Sequence, residues 1–125
     1  MTAEPQSRPD AGAPYLFIAS MDVTPDDEAL FNEVYDEEHA PNLAAVPGVL
    51  DVARYESTDL TLSIGGTLQR FELQRPKYHA IFSLANPDVL VSDAWSRAIE
   101  AGRWPDEVRP LTSNRQHRLL RRHGR

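Results

Sequence analysis

The stretch FNEVYDEEHAPNLAAVPGV, Phe31 to Val49, decides how this chain folds. With the preceding TPDDEAL it opens as an amphipathic helix. Thr24 suits the N-cap, Pro25 the first helical position, and Asp26 and Asp27 complement the helix dipole. Leu30, Phe31, Val34 and Tyr35 recur at helical spacing as a buried stripe, and Glu38 and His39 extend it by one turn. Pro41 has no N–H and disfavours the α conformation at Ala40, so the helix is expected to kink or stop there. Leu43, Ala44 and Val46 then make a short apolar turn, and Pro47–Gly48 reverses the chain.

Working outward, YLFIASMDV (Tyr15–Val23) reads as a strand that is largely apolar on both faces, with Leu16, Ile18 and Ser20 on one and Tyr15, Phe17, Ala19 and Met21 on the other. VLDVARYES (Val49–Ser57) and KYHAIFSL (Lys77–Leu84) read as a second and third strand, with Tyr78 and Phe82 on the helix side of the third. A helical region starts at Asn86–Pro87. Leu90, Ala94, Trp95, Ala98 and Ile99 form its apolar stripe, Ser92–Asp93 is a second capping signal inside it, and Gly102 is its expected stop. NRQHRLLRRH near the C-terminus reads as a last strand, and its basic side chains as solvated or paired with acids.

The order β-α-β-β-α-β predicts an α+β, ferredoxin-like fold: a four-stranded antiparallel sheet with two helical segments on one face. The first strand is apolar on both sides, so its second face needs a cover. A homodimer packed through the sheet face is the economical one. Residues 1–13 read as a flexible arm and 14–125 as a single domain. An insertion over about 58–75 carries alternating Leu60, Leu62 and Ile64 before Gly65–Gly66. It reads either as a surface excursion or as a hairpin folded over the domain.

The chain has 125 residues, 41% of them hydrophobic and 26% charged, which suits one globular domain. A formal net charge of −6 argues against nucleic acid as a partner. No apolar run reaches membrane-spanning length, and the first residues lack the pattern of a signal peptide, so a cytoplasmic location is expected. The sequence has no cysteine, which excludes disulfides and thiolate chemistry. The four histidines lack metal-ligand spacing, and no phosphate loop or serine elbow occurs, so no metal or cofactor is expected.

The Tyr-Asp-Glu-Glu-His-Ala-Pro run and the Val-Pro-Gly turn, followed by DVARYE, resemble the EthD-like family of dimeric α/β-barrel proteins. PKYHAIFSLANPDVLVSDAWSRAIEAGRWPDEVRP resembles the second half of the same family, so the likeness spans most of Tyr15 to Pro110. The arm and the Gly65–Gly66 excursion depart from the pattern, since relatives join those strands by a shorter loop. The resemblance implies a ferredoxin-like fold dimerised through its sheets, with a cleft between sheet and helices in each subunit. Relatives bind small aromatic or polyketide-like molecules. Some act without metal or organic cofactor as decarboxylases, dehydratases, cyclases or monooxygenases, and others have no known activity.

His39 is the first candidate for chemistry, because an imidazole gives or takes a proton near neutral pH. Its competing role is to bond the last carbonyls of its own helix. Tyr35 and Tyr78 are candidate donors to a carbonyl or developing oxyanion. Phe31, Glu38, Phe82, Trp95 and Trp104 are candidate substrate contacts. Arg54 is open to binding a substrate carboxylate or to pairing with an acid at the dimer interface. Asp36 and Glu37 read as a solvated face. The resulting expectation is a cofactor-independent, lyase-type enzyme on a small hydrophobic molecule. A non-catalytic accessory protein that binds such a molecule, and a cofactor-free monooxygenase, are the alternatives.

Overall fold

A computed structural model of the chain describes residues 12–124. The expected arm over 1–13 lies outside the described residues except for its last two, of which Ala13 is buried. Among the described residues six strands are present: β1 (Tyr15–Val23), β2 (Val49–Glu56), β3 (Leu60–Ile64), β4 (Thr67–Phe71), β5 (Tyr78–Leu84) and β6 (Thr112–Arg121). Four of them form one sheet in the order β2-β5-β1-β6, and every neighbouring pair is antiparallel. The fold is therefore α+β. Phe17 stands opposite Phe82 on the helix side, and Ile18 opposite Ile81 on the other.

The helical layer holds α1 (Glu28–Val34), α2 (Ala40–Ala44) and α3 (Asp93–Ile99). Thr24 does not cap α1 through its side chain. Its hydroxyl donates to Asp27 Oδ2 instead, 3.0 Å away, and a 3₁₀ turn at Pro25–Asp27 leads into the helix. The expected break at Ala40–Pro41 is not there. A π turn at Tyr35–His39 joins α1 to α2, with the Ala40 N–H donating to the Tyr35 carbonyl, and Ala40 keeps helical angles of φ −65° and ψ −45°. The wider i→i+5 turn opens the backbone just ahead of Pro41, so the ring and the missing N–H are accommodated. The second helical region divides as expected at Ser92, whose hydroxyl accepts from the Trp95 N–H at 3.1 Å. A second π turn, Trp104–Val108, follows α3.

The core lies between sheet and helices, where Phe31, Val34, Leu43, Phe82, Leu84 and Val108 are fully buried. On the opposite face Leu16, Ile18 and Ile81 are half-buried, and Tyr55 and Leu120 are exposed. That face also carries His79, held by the Ser20 hydroxyl at Nδ1 (2.7 Å) and the Ser57 hydroxyl at Nε2 (2.8 Å). Ser57 donates its own proton to the Pro76 carbonyl, so it accepts from Nε2–H, and Ser20 donates to Nδ1. The insertion is a hairpin of β3 and β4, with Leu60, Leu62, Ile64 and Leu68 exposed, so it stands out from the body instead of covering it.

Candidate functional site

A cavity of about 420 Å³ lies between the sheet and the helical layer. Its floor is the helix-side face of the sheet, with Phe17, Ala19 and Met21 from β1 and Phe82 from β5. Tyr35, His39, Leu43, Trp95, Ile99 and Trp104 line the cavity from the helical layer. Besides His39, its polar lining groups are Glu100, Arg109, Arg115 and His117.

The two π turns meet over this space. The His39 ring stacks on Trp104 with centroids 4.0 Å apart and planes within 11°. Tyr35 meets both rings edge-on, at 5.1 Å and 5.0 Å. Tyr35 and His39, four residues apart, lie on one face of their helical segment and so meet the same indole. His39 is only 3% exposed. Its Nδ1 is the one buried side-chain nitrogen or oxygen without a hydrogen-bond partner among the described residues. The role of capping its own helix is therefore not filled.

Electrostatics follow from this burial. Desolvation pulls the His39 pKa from 6.5 down to about 4, helped by the nearby Arg109 and Arg115 guanidinium groups and opposed by Glu100. The ring is neutral at pH 7. Burial pushes the Tyr35 hydroxyl up to about 12, so it is a phenol and not a phenolate. Arg109 is clamped to Glu100 by two bonds of 3.1 and 2.7 Å and also donates to the Ile99 carbonyl. Glu100 is held below the usual carboxylate range, first by those bonds. His117, stacked on Phe17 at 6.0 Å, is lowered by partial burial and by Arg115.

The structure brings His39, Tyr35, Phe82, Trp95 and Trp104 to one cavity. It places the other candidates elsewhere. Tyr78 donates its hydroxyl to Glu28 Oε1 at 2.6 Å, on the far side of Phe31 from the cavity. Phe31 is a fully buried core residue packed on Tyr35, Tyr78 and Trp104. Glu38 faces away, accepting from the Arg103 N–H at 2.8 Å and from Arg103 Nε at 2.6 Å, and these bonds hold its carboxyl below the usual range. Arg54 pairs with Asp36 at 2.6 Å, bonds Asn32 at 2.9 Å, and lies 4.4 Å over the Tyr35 ring. Its guanidinium is paired with an acid of its own chain, Asp36, whose side chain stays 61% exposed.

Sequence reasoning passed over Glu100, Arg109, Arg115 and His117. The last two belong to the tail that read as solvated or paired. The strict alternation of β6 would have placed residues 115 and 117 on one face, but only the pairing of His117 with Ala19 shows that it is the helix face. Among the described residues no group of three or more His, Cys, Asp or Glu is placed to hold a metal, and no helix is long and apolar enough to cross a membrane.

The class this defines is an α+β protein with an apolar cavity beneath two π turns and a buried neutral imidazole in its wall. No family model and no curated protein matches the sequence. Among solved structures the chain is similar to an ethyl tert-butyl ether D (EthD) family protein from Bacillus halodurans, with a TM-score of 0.55 and 12% identity. The likeness covers 86% of this chain and 98% of that one. At that identity it shows an EthD-like α+β fold, and the fold alone.

Proposed function

We propose that this protein is a cofactor-independent, lyase-type enzyme that moves a proton on a small hydrophobic, aromatic or polyketide-like molecule. The observation that carries the reading is His39: a buried, neutral imidazole whose ring lines an apolar cavity. In the neutral ring one nitrogen accepts a proton and the other carries one, so His39 is the general base, and its conjugate acid returns the proton. Tyr35, held as a phenol beside it, is the donor to the carbonyl oxygen on which charge develops. Decarboxylation, dehydration and cyclisation of an activated carbonyl compound all use that pair.

The test is solvent deuterium incorporation at the acidic C–H of a 1-aryl-1,3-dicarbonyl probe, followed by NMR. Wild-type protein is expected to accelerate exchange, and His39→Ala to lose roughly a hundredfold of that rate. Equal rates in the two proteins would remove His39 from the chemistry. A second reading, a non-catalytic accessory protein using the same cavity, has its own support: no described carboxylate bonds the His39 Nδ1 to orient the ring. It predicts binding of the probe without exchange.

The ferredoxin-like dimer belongs to the same proposal. The half-buried Leu16, Ile18 and Ile81 and the exposed Tyr55 and Leu120 support sheet-to-sheet packing of two copies. Sedimentation at micromolar concentration tests it. Ile18→Glu is expected to yield monomers, and a wild-type chain that sediments as a monomer would refute it.

A further inference from the structure

We propose that the cavity takes a flat, apolar ligand bearing one negative charge, a carboxylate or an ionised enol or phenol, with that charge held by Arg115. This rests on reading the cavity as a substrate site. Its walls set the flat, apolar part of the specificity: the parallel His39–Trp104 stack, Phe17 and Trp95. The charge follows from an imbalance among the polar lining groups. Arg109 and Glu100 neutralise each other through a two-bond clamp, and Arg109 Nη2 also donates to the Ile99 carbonyl. Arg115 lines the same space with no ion pair or side-chain hydrogen bond to another described residue.

The fold also builds Arg115 into place. The pairing of β1 with β6 slips between Ser20 and Asp22, so that Asn114 and Arg115 together stand against Met21. Asn114 takes a left-handed conformation, φ 50°, and its Nδ2 donates to Asp22 Oδ2 at 3.0 Å. Asp22 is in turn fixed by the Lys77 N–H at 2.8 Å and by Arg75 at 3.1 Å. A bulge pinned in this way re-aims the side chain beside it and directs Arg115 at the cavity mouth. In a chain of net charge −6, attraction for an anion has to come from such a local group. A neutral ligand of the same shape would leave the guanidinium unmatched.

The test is calorimetric titration of the full chain with 2-naphthoate and its neutral isostere 2-naphthamide. Arg115 sits at an exposed mouth, so the expected preference for the anion is roughly fivefold, the size of a favourable exposed pair. It should shrink in about 0.5 M sodium chloride, where screening is strong. Arg115→Gln is expected to abolish the preference while keeping naphthamide affinity. Arg70→Gln, which removes the same charge from the projecting hairpin, should leave the preference intact. Equal binding of the two probes to wild type, or a preference that survives in Arg115→Gln, would overturn the assignment but leave the cavity as a binding site. Failure of both probes to bind would refute the site itself, and the charge preference with it.

Discussion

Replacing His39 by Phe should make the protein less sensitive to acid. Phenylalanine keeps a flat ring against Trp104 but cannot take a proton. In the folded chain the imidazole is held at about 4, against 6.5 when it is exposed. The unfolded chain therefore binds a proton between those values that the folded chain refuses. The stability linked to His39 is complete above pH 6.5 and is lost as the pH falls towards 4. Linkage puts the loss at roughly 2 kcal/mol between pH 7 and pH 5, and roughly 3 kcal/mol by pH 4. That is a large share of the 5–15 kcal/mol typical of a folded domain. The measurement is urea unfolding of both proteins at pH 7, 6 and 5. Wild type should lose about 2 kcal/mol more than His39→Phe over that range. Parallel pH dependence of the two would refute the reasoning, as would an NMR titration placing the ring near 6.5.

Other outcomes follow from the same geometry. If neutral His39 is the base, kcat/KM for exchange should stay level from pH 8 to about pH 5 and fall with a midpoint near 4; a fall centred near 6.5 would mean that another group titrates. Tyr78→Phe deletes the bond to Glu28 and should cost about 1 kcal/mol in denaturant unfolding while leaving naphthoate affinity unchanged; a large change in affinity would bring Tyr78 back into the site. Gly102→Ala should lower the melting temperature, because Gly102 has φ +69° and a Cβ there would lie 2.5 Å from Glu38 Oε1, pushing that carboxylate off Arg103. Unchanged melting would show that the Glu38–Arg103 clamp does not matter to stability.

The likeness to the Bacillus halodurans protein adds a fold and no reaction, so the weight of the functional reading stays on the cavity. Within it the two π turns have the most to explain. Each has a proline close by, Pro41 just after the first and Pro105 at the second position of the second, and each supplies a ring to the His39–Trp104 stack. Prolines that would break a regular helix here sit beside wider turns that turn aromatic side chains onto the ligand space.

Periodicity in the sequence determined the elements themselves. The alternation in Tyr15–Val23 and Tyr78–Leu84, the stripe through Phe31, Val34 and Tyr35, and the Ser92 cap each report a local preference for one backbone geometry. The burial of Phe82 and Trp95 was legible for the same reason, since large apolar side chains on a patterned face go inside. What local pattern cannot hold is contact between distant segments. Pro41 looked like a helix end because the rule for proline assumes a regular α turn before it, whereas the assembled chain has a π turn there whose Tyr35 and His39 rings pack on Trp104, 63 residues after Pro41. Tyr35 and Tyr78 were indistinguishable as phenols until Glu28 was found to hold one of them. Arg109 and Arg115 were indistinguishable as cations until Glu100 was found to neutralise the first and the Asn114 bulge to direct the second. Burial and pairing set the charge of a side chain, and both are properties of the assembled chain.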